Sequence, residues 1–407
     1  MRHLCRLVGL FVFVAVAGFV PVASATTSPP IGPPGTAFYT DPSVLPAHAG
    51  DLIRYLPTPF YQAPLIPSDA HAWKVLYRST TAGGRGIAVS GLVIVPRKPW
   101  SGPGARPIVS YSPGTTGMAD RCAVSRTVTV PLADPVTSYE APFIAMLLAK
   151  GWAVALTDYQ GLGTPGNHPY VVGNVLGRNA LDVVRAAQRL PVAGLSATAP
   201  VLIWGYSEGG NGAGWAAQLA STYAPELEIR AAAFGGVPND LPAMVPTIEN
   251  GPFAALIAMA AIGFDTAYPE LDLSSYLNDR GRQYLPTIAD SCLSDGLAKG
   301  AFEETSWFTT SDPLQAAPWQ ARLAQNKLAS RRPPAFPIFL YHGVQDEAVA
   351  YPQDAALRSS WCSQGAKITW RAVLGEHVSA YVVEAPTAVS YLSKELAGAS
   401  VATNCSS

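Results

Sequence analysis

From about residue 72 onward, apolar positions fall in short blocks whose period keeps changing. Residues 72–79 and 87–95 alternate apolar and polar around Ala82-Gly83-Gly84-Arg85-Gly86, which predicts a hairpin of two strands. The blocks then switch between brief apolar runs and longer stretches with helical spacing. Strands are expected at 107–111, 152–157, 201–204, 229–234, 337–341 and 367–373. Helices are expected at 142–150, 179–190, 208–223, 354–360 and 386–396, the last with Pro386 in its first turn. Strand and helix alternating in this way predict an α/β fold, a mostly parallel sheet covered on both faces.

Two stretches break the rhythm. Residues 26–71 are Pro-rich and weakly periodic, and read as an extended arm packed on the core. Residues 240–334 are mixed helix and loop with apolar faces at 253–262 and 316–328, and read as a cap inserted into the sheet domain of 72–239 and 335–407.

The start of the chain has another character. Arg2, His3 and Arg6 precede an apolar run at 7–20, and Ala23-Ser24-Ala25 follows, so 1–25 read as a secretory signal cleaved after Ala25. A membrane anchor is the weaker reading, because the run falls short of the ~18–20 apolar residues that span a bilayer. No later run reaches that length, so the mature chain is expected to be exported, with no membrane span. Cys5 leaves with the signal. Cys122, Cys292, Cys362 and Cys405 remain, an even set that reads as two disulfides with three formal pairings. The favoured pairing is Cys122–Cys292 with Cys362–Cys405, the second tying down the C-terminal tail. None has metal-ligand spacing, so no metal is expected. Hydrophobic residues make up 49% and charged residues 14% of the chain, which excludes intrinsic disorder. The formal net charge of -1, without charge blocks, argues against a nucleic-acid partner.

The chemistry centres on Gly205-Tyr206-Ser207-Glu208-Gly209, between an expected strand and an expected helix. This is the G-x-S-x-G nucleophile elbow in the context it needs. The turn lifts a serine hydroxyl clear of the sheet, and the flanking glycines let the two backbones approach. In such folds the acid and then the histidine follow the serine along the chain. His377 lies just past the last strand and is the expected base. His342, followed by Gly343, is expected to shape a loop. Of nine later Asp residues only Asp346 follows directly on a core strand, so it is the expected acid, with Glu347 its nearest rival. His48, His71 and His168 read as ordinary surface or core residues. The oxyanion hole needs two N–H groups. One belongs to Glu208. The other comes from Ser112-Pro113-Gly114-Thr115, where Pro113 cannot donate; Thr115 is favoured over Gly114.

Gly161-Leu162-Gly163-Thr164-Pro165-Gly166 matches a dinucleotide-binding fingerprint only in letters. Pro165 and His168-Pro169 block the helix that must follow, so no cofactor is expected. The set therefore points to acyl transfer through an acyl-enzyme.

Five segments carry a resemblance to a known family: Gly151-Trp152-Ala153-Val154, Asp158-Tyr159-Gln160-Gly161-Leu162-Gly163, Gly205-Tyr206-Ser207-Glu208-Gly209-Gly210, His342-Gly343-x-x-Asp346 and Gly375-x-His377. Over about 72–396 the chain resembles the secretory lipase (LIP) family, lipase-A-like α/β hydrolases of fungi and actinobacteria. The resemblance implies an α/β-hydrolase fold, exported lipase or esterase activity on acylglycerols and other esters, a helical cap over the acyl site, and the two disulfides. Pro113 departs from the family, where a His often precedes the oxyanion glycine. Asp158 and Tyr159 belong to the family pattern and read as a strand-end turn beneath the site. The apolar run 251–262 is expected to line an acyl tunnel or to meet a lipid surface. A secreted serine peptidase would need a charged anchor for a peptide end, and none is identifiable. A non-enzymatic binding protein would have no use for Ser207, Asp346 and His377 together.

Overall fold

The computed structural model describes residues 29–399 and 401–405. The expected signal segment and Cys5 lie outside the described residues. Nine strands form one sheet: β1 (Leu52–Thr58), β2 (Ala70–Thr80), β3 (Gly86–Pro96), β4 (Ile108–Ser112), β5 (Ala153–Thr157), β6 (Val201–Tyr206), β7 (Ile229–Gly235), β8 (Ile338–Gly343) and β9 (Ile368–Val373). Their spatial order is β1-β2-β3-β5-β4-β6-β7-β8-β9. The first three strands join by antiparallel pairing, and every pair from β5 to β9 is parallel. This is an α/β-hydrolase sheet, as expected.

Helices cover both faces. α1 (Ala141–Ala149) and the last helix (His377–Leu396) pack on one side; α2 (Gly173–Arg189), α3 (Glu208–Tyr223) and Pro352–Ser363 pack on the other. β6 shows how both layers use one strand. Val201 and Ile203 belong to one core cluster, while Leu202, Trp204 and Tyr206 belong to the opposite one. A strand buried on both faces reads as a continuous apolar run, which is why the sequence exposed it.

Between β7 and β8 the chain makes α4 (Leu241–Ile248), α5 (Ala255–Ala267), α6 (Asp279–Ala289), α7 (Leu293–Gly300) and α8 (Ala317–Gln325). Met259, Ile262, Phe264 and Trp319 of this segment form a common core with Tyr170, Val171 and Val175. After it come α9 (Pro352–Ser363) and α10 (His377–Leu396). Both expected disulfides are present. Cys122–Cys292 fastens the helical segment to the sheet domain, and Cys362–Cys405 ties the tail to α9. Among the described residues no helix is long and apolar enough to cross a membrane.

Three elements differ from the sequence reading. The Pro-rich arm supplies β1, the edge strand paired antiparallel to β2. Its residues are mostly half-buried and its register shifts after Leu52, so no clean alternation marks it; Pro57 is tolerated because an edge strand leaves N–H groups unpaired. α2 begins at Gly173, six residues before its expected start at Asn179. Gly173 lets α2 pack closely on α3: a Cβ on it would lie 2.0 Å from the Trp215 ring. α10 begins at His377, and Pro386 sits inside it rather than in its first turn. Glu376 caps that start, accepting from the Val378 and Ser379 N–H groups while the Ser379 hydroxyl answers the Glu376 N–H.

Candidate active site

The elbow is strained where its chemistry requires. Ser207 has φ 60° and ψ -126°, in a region that costs a non-glycine residue on the order of 1–3 kcal/mol. The turn closes only because its neighbours lack side chains: a Cβ on Gly205 would lie 2.1 Å from the Gly209 carbonyl oxygen, and one on Gly209 would lie 2.1 Å from that of Ser112. The Ser207 N–H donates to the Gly235 carbonyl at 3.0 Å, and α3 starts at the next residue. Ser207 thus stands at the positive end of a helix.

His377 and Asp346 meet it there. His377 Nε2 lies 2.9 Å from Ser207 Oγ, and its Nδ1 lies 2.7 Å from Asp346 Oδ2. Because His377 opens α10, the Glu376 cap sets the backbone that carries the ring. Glu347, the rival acid, accepts from the His377 N–H at 3.1 Å instead of meeting its ring. Asp346 is anchored by the Ala348 and Val349 N–H groups at 3.0 and 2.7 Å.

His342 does more than shape a loop. It is fully buried inside β8, with Nδ1 2.7 Å from Asp354 Oδ2, and with Nε2 2.8 Å from the Val349 carbonyl and 3.3 Å from Asp346 Oδ2. Burial pulls its imidazole down, but Asp354 and Asp346 outweigh that and lift it to about 10. Asp346 is the mirror image. Burial pushes its carboxyl up, yet hydrogen bonds from His342 and His377 hold it well below the usual carboxylate range.

The loop after β4 separates the two expected oxyanion residues. The Gly114 N–H donates to Glu140 Oε1 at 2.6 Å and is thereby committed, which removes Gly114 as a donor. The Thr115 and Glu208 N–H groups take no acceptor among the described residues. Thr115 also lines the cavity described below. Glu140 accepts as well from the hydroxyls of Tyr111 and Tyr381, and burial raises its carboxyl. Asp158 is buried and accepts from the Ser90 hydroxyl and the Ser125 N–H. Glu140, His168 and Tyr170 were not singled out as site residues. His168 Nε2 lies 2.6 Å from Glu208 Oε1, and the Tyr170 hydroxyl lies 2.9 Å from Thr115 Oγ1. These partners are 40 and 55 positions apart and belong to common residue types, so no local pattern announces them.

Ser207 and His377 open onto a cavity of about 850 Å³. Thr115, Tyr139, Phe143, Tyr206 and Tyr381 line its floor, and Leu241, Met244, Leu256, Ile257 and Phe308 come from the helical segment. Among the described residues no group of three or more His, Cys, Asp or Glu side chains is arranged to hold a metal ion.

The fold has known counterparts. A family model described as secretory lipase matches residues 127–404. The chain is 29% identical over 380 residues to a protein of Mycobacterium tuberculosis named a probable inactive lipase, covering 91% of this chain and 83% of that one. It is 29% identical over 283 residues to a secreted triacylglycerol lipase of Malassezia furfur, covering 67% of this chain and 59% of that one. Among solved structures it resembles Candida antarctica lipase A in its closed state, with TM-score 0.78, 26% identity, and coverage of 87% and 84%.

Proposed function

The chain belongs to the secretory lipase family and is a carboxylic-ester hydrolase, and from that premise we propose that it is a secreted lipase working through Ser207, His377 and Asp346. What carries this reading is the pair of contacts, 2.9 and 2.7 Å, that join the three side chains at the mouth of an apolar cavity. They favour activity in this chain despite the name of its mycobacterial relative.

Ser207 Oγ attacks the ester carbonyl carbon while His377 Nε2 takes its proton. Asp346, held ionised, stabilises the resulting imidazolium. The Glu208 and Thr115 N–H groups donate to the oxyanion. As the tetrahedral intermediate collapses, His377 returns the proton to the departing alcohol. Water, deprotonated by the same imidazole, then attacks the acyl-enzyme and releases the acid and free Ser207.

Residues 240–334 act as the cap. α4 and α5 line the acyl chamber with Leu241, Met244, Leu256 and Ile257, which suits the acyl chain of an acylglycerol. Phe302 and Trp307 of the cap, and Val378 and Val382 at the cavity rim, are exposed apolar side chains that suit contact with a lipid surface.

The test is hydrolysis of p-nitrophenyl esters from acetate to palmitate, together with emulsified triolein. Ser207→Ala is expected to lower kcat by about five to six orders of magnitude. A Ser207→Ala protein with wild-type activity would overturn the assignment. Activity that vanishes beyond medium chains would make the enzyme an esterase rather than a lipase.

A further inference from the structure

Residues 161–170 have no part in the mechanism above, yet two of their side chains are buried against the two oxyanion donors. His168 Nδ1 lies 3.0 Å from the Gln160 carbonyl. A carbonyl only accepts, so this nitrogen carries a proton. Nε2 faces Glu208 Oε1 at 2.6 Å, with both side chains closed to solvent. The ring is stacked on Tyr159, with centroids 5.7 Å apart, and meets Tyr170 edge-on at 6.1 Å. Two residues further on, the Tyr170 hydroxyl bonds Thr115 Oγ1 at 2.9 Å.

We propose that this loop is the scaffold of the oxyanion hole, in which His168 holds and neutralises Glu208 while Tyr170 holds Thr115. Both are positioning residues, and the inference rests on reading the Glu208 and Thr115 N–H groups as the donors. Glu208 poses a particular difficulty. Its N–H must stabilise negative charge, while its own carboxylate lies buried close by. An uncompensated carboxylate there opposes the oxyanion, and little solvent screens it. The other titratable groups facing it are the hydroxyls of Tyr139, Tyr159 and Tyr170. Burial, and then neighbouring carboxylates including Glu208, hold all three above their ordinary range, so they stay neutral. The single proton bridging His168 Nε2 and Glu208 Oε1 compensates that carboxylate.

The test is a double-mutant cycle on the full chain, read as kcat and KM separately with p-nitrophenyl butyrate. His168→Gln is expected to lower kcat about 100-fold with KM within about twofold, the scale of losing one oxyanion donor. Glu208→Gln removes the carboxylate but keeps the backbone N–H, so it is expected to lower kcat less than His168→Gln does. The double variant should recover to within about tenfold of wild type, because the carboxylate that His168 neutralised is gone. A double variant as slow as His168→Gln would mean that the pair only fills space, and would overturn the proposal. Should His168→Gln not fold, Tyr170→Phe serves, since it removes one hydroxyl; kcat about tenfold lower at an unchanged thermal midpoint supports the proposal, and unchanged kcat overturns it. Wild-type kcat in His168→Gln, with Ser207→Ala inactive, sinks this inference alone. An active Ser207→Ala sinks the reading beneath it.

Discussion

The edge of the sheet and the helical segment above it are built from different materials. At the sheet edge Asp346 and His377 are held by directional bonds. Asp346 accepts from two backbone N–H groups and from His377, with His342 at its back. In the helical segment the residues facing the cavity are mostly aliphatic or aromatic. Directional bonds fix atoms to tenths of an ångström, whereas apolar packing fixes a volume. The first region is therefore suited to chemistry, and the second to selecting what reaches it. Damage to the first should appear in kcat or in stability, and damage to the second in substrate preference.

Asp346→Asn should break the comparison most sharply. It keeps the shape but upsets the tautomer of His377, and kcat should fall about 10⁴-fold in steady-state assays while the fold is retained. His342→Ala comes next. It strands Asp346 and Asp354 without their buried partner, which should cost about 3–5 kcal/mol in urea denaturation. The pH dependence follows from the direction of the shift. His342 is raised from 6.5 to about 10 in the folded chain, so its contribution is complete below pH 6.5 and is lost as pH rises through about 10. Wild-type stability should fall over that window, and His342→Ala should lack this part of the slope.

Cys122 and Cys292 stitch the two regions together. Beside the bond, the Leu293 N–H donates to the Thr116 carbonyl and the Met118 N–H to the Ser291 carbonyl, next to Thr115. Replacing both cysteines by Ser should cost about 2–5 kcal/mol and lower kcat as well. The second disulfide closes 43 positions rather than 170, so chain entropy makes its removal about 1 kcal/mol milder. It lies at the tail, and its loss should leave kcat unchanged. The smallest effect is expected from Ile257→Trp in the chamber wall. It should lower the palmitate-to-butyrate ratio of kcat/KM roughly tenfold while the butyrate kcat barely moves.

The sequence exposed what local rules control. The elbow was legible because its glycines and serine must stand at fixed offsets between a strand and a helix. Asp346 and His377 were legible because chain order and strand ends leave few candidates. His342, Glu140 and His168 were not, since each is defined by partners that only the fold brings near. Pro386 misled because proline most often begins a helix, and here the Glu376 cap starts it nine residues earlier.

The proposed chemistry depends on Ser207 as the nucleophile. Its most direct test is labelling with a p-nitrophenyl alkylphosphonate, followed by intact mass and peptide mapping. One adduct per chain is predicted, on Ser207, with activity lost in proportion to labelling. An adduct elsewhere, or full activity in fully labelled protein, would contradict it.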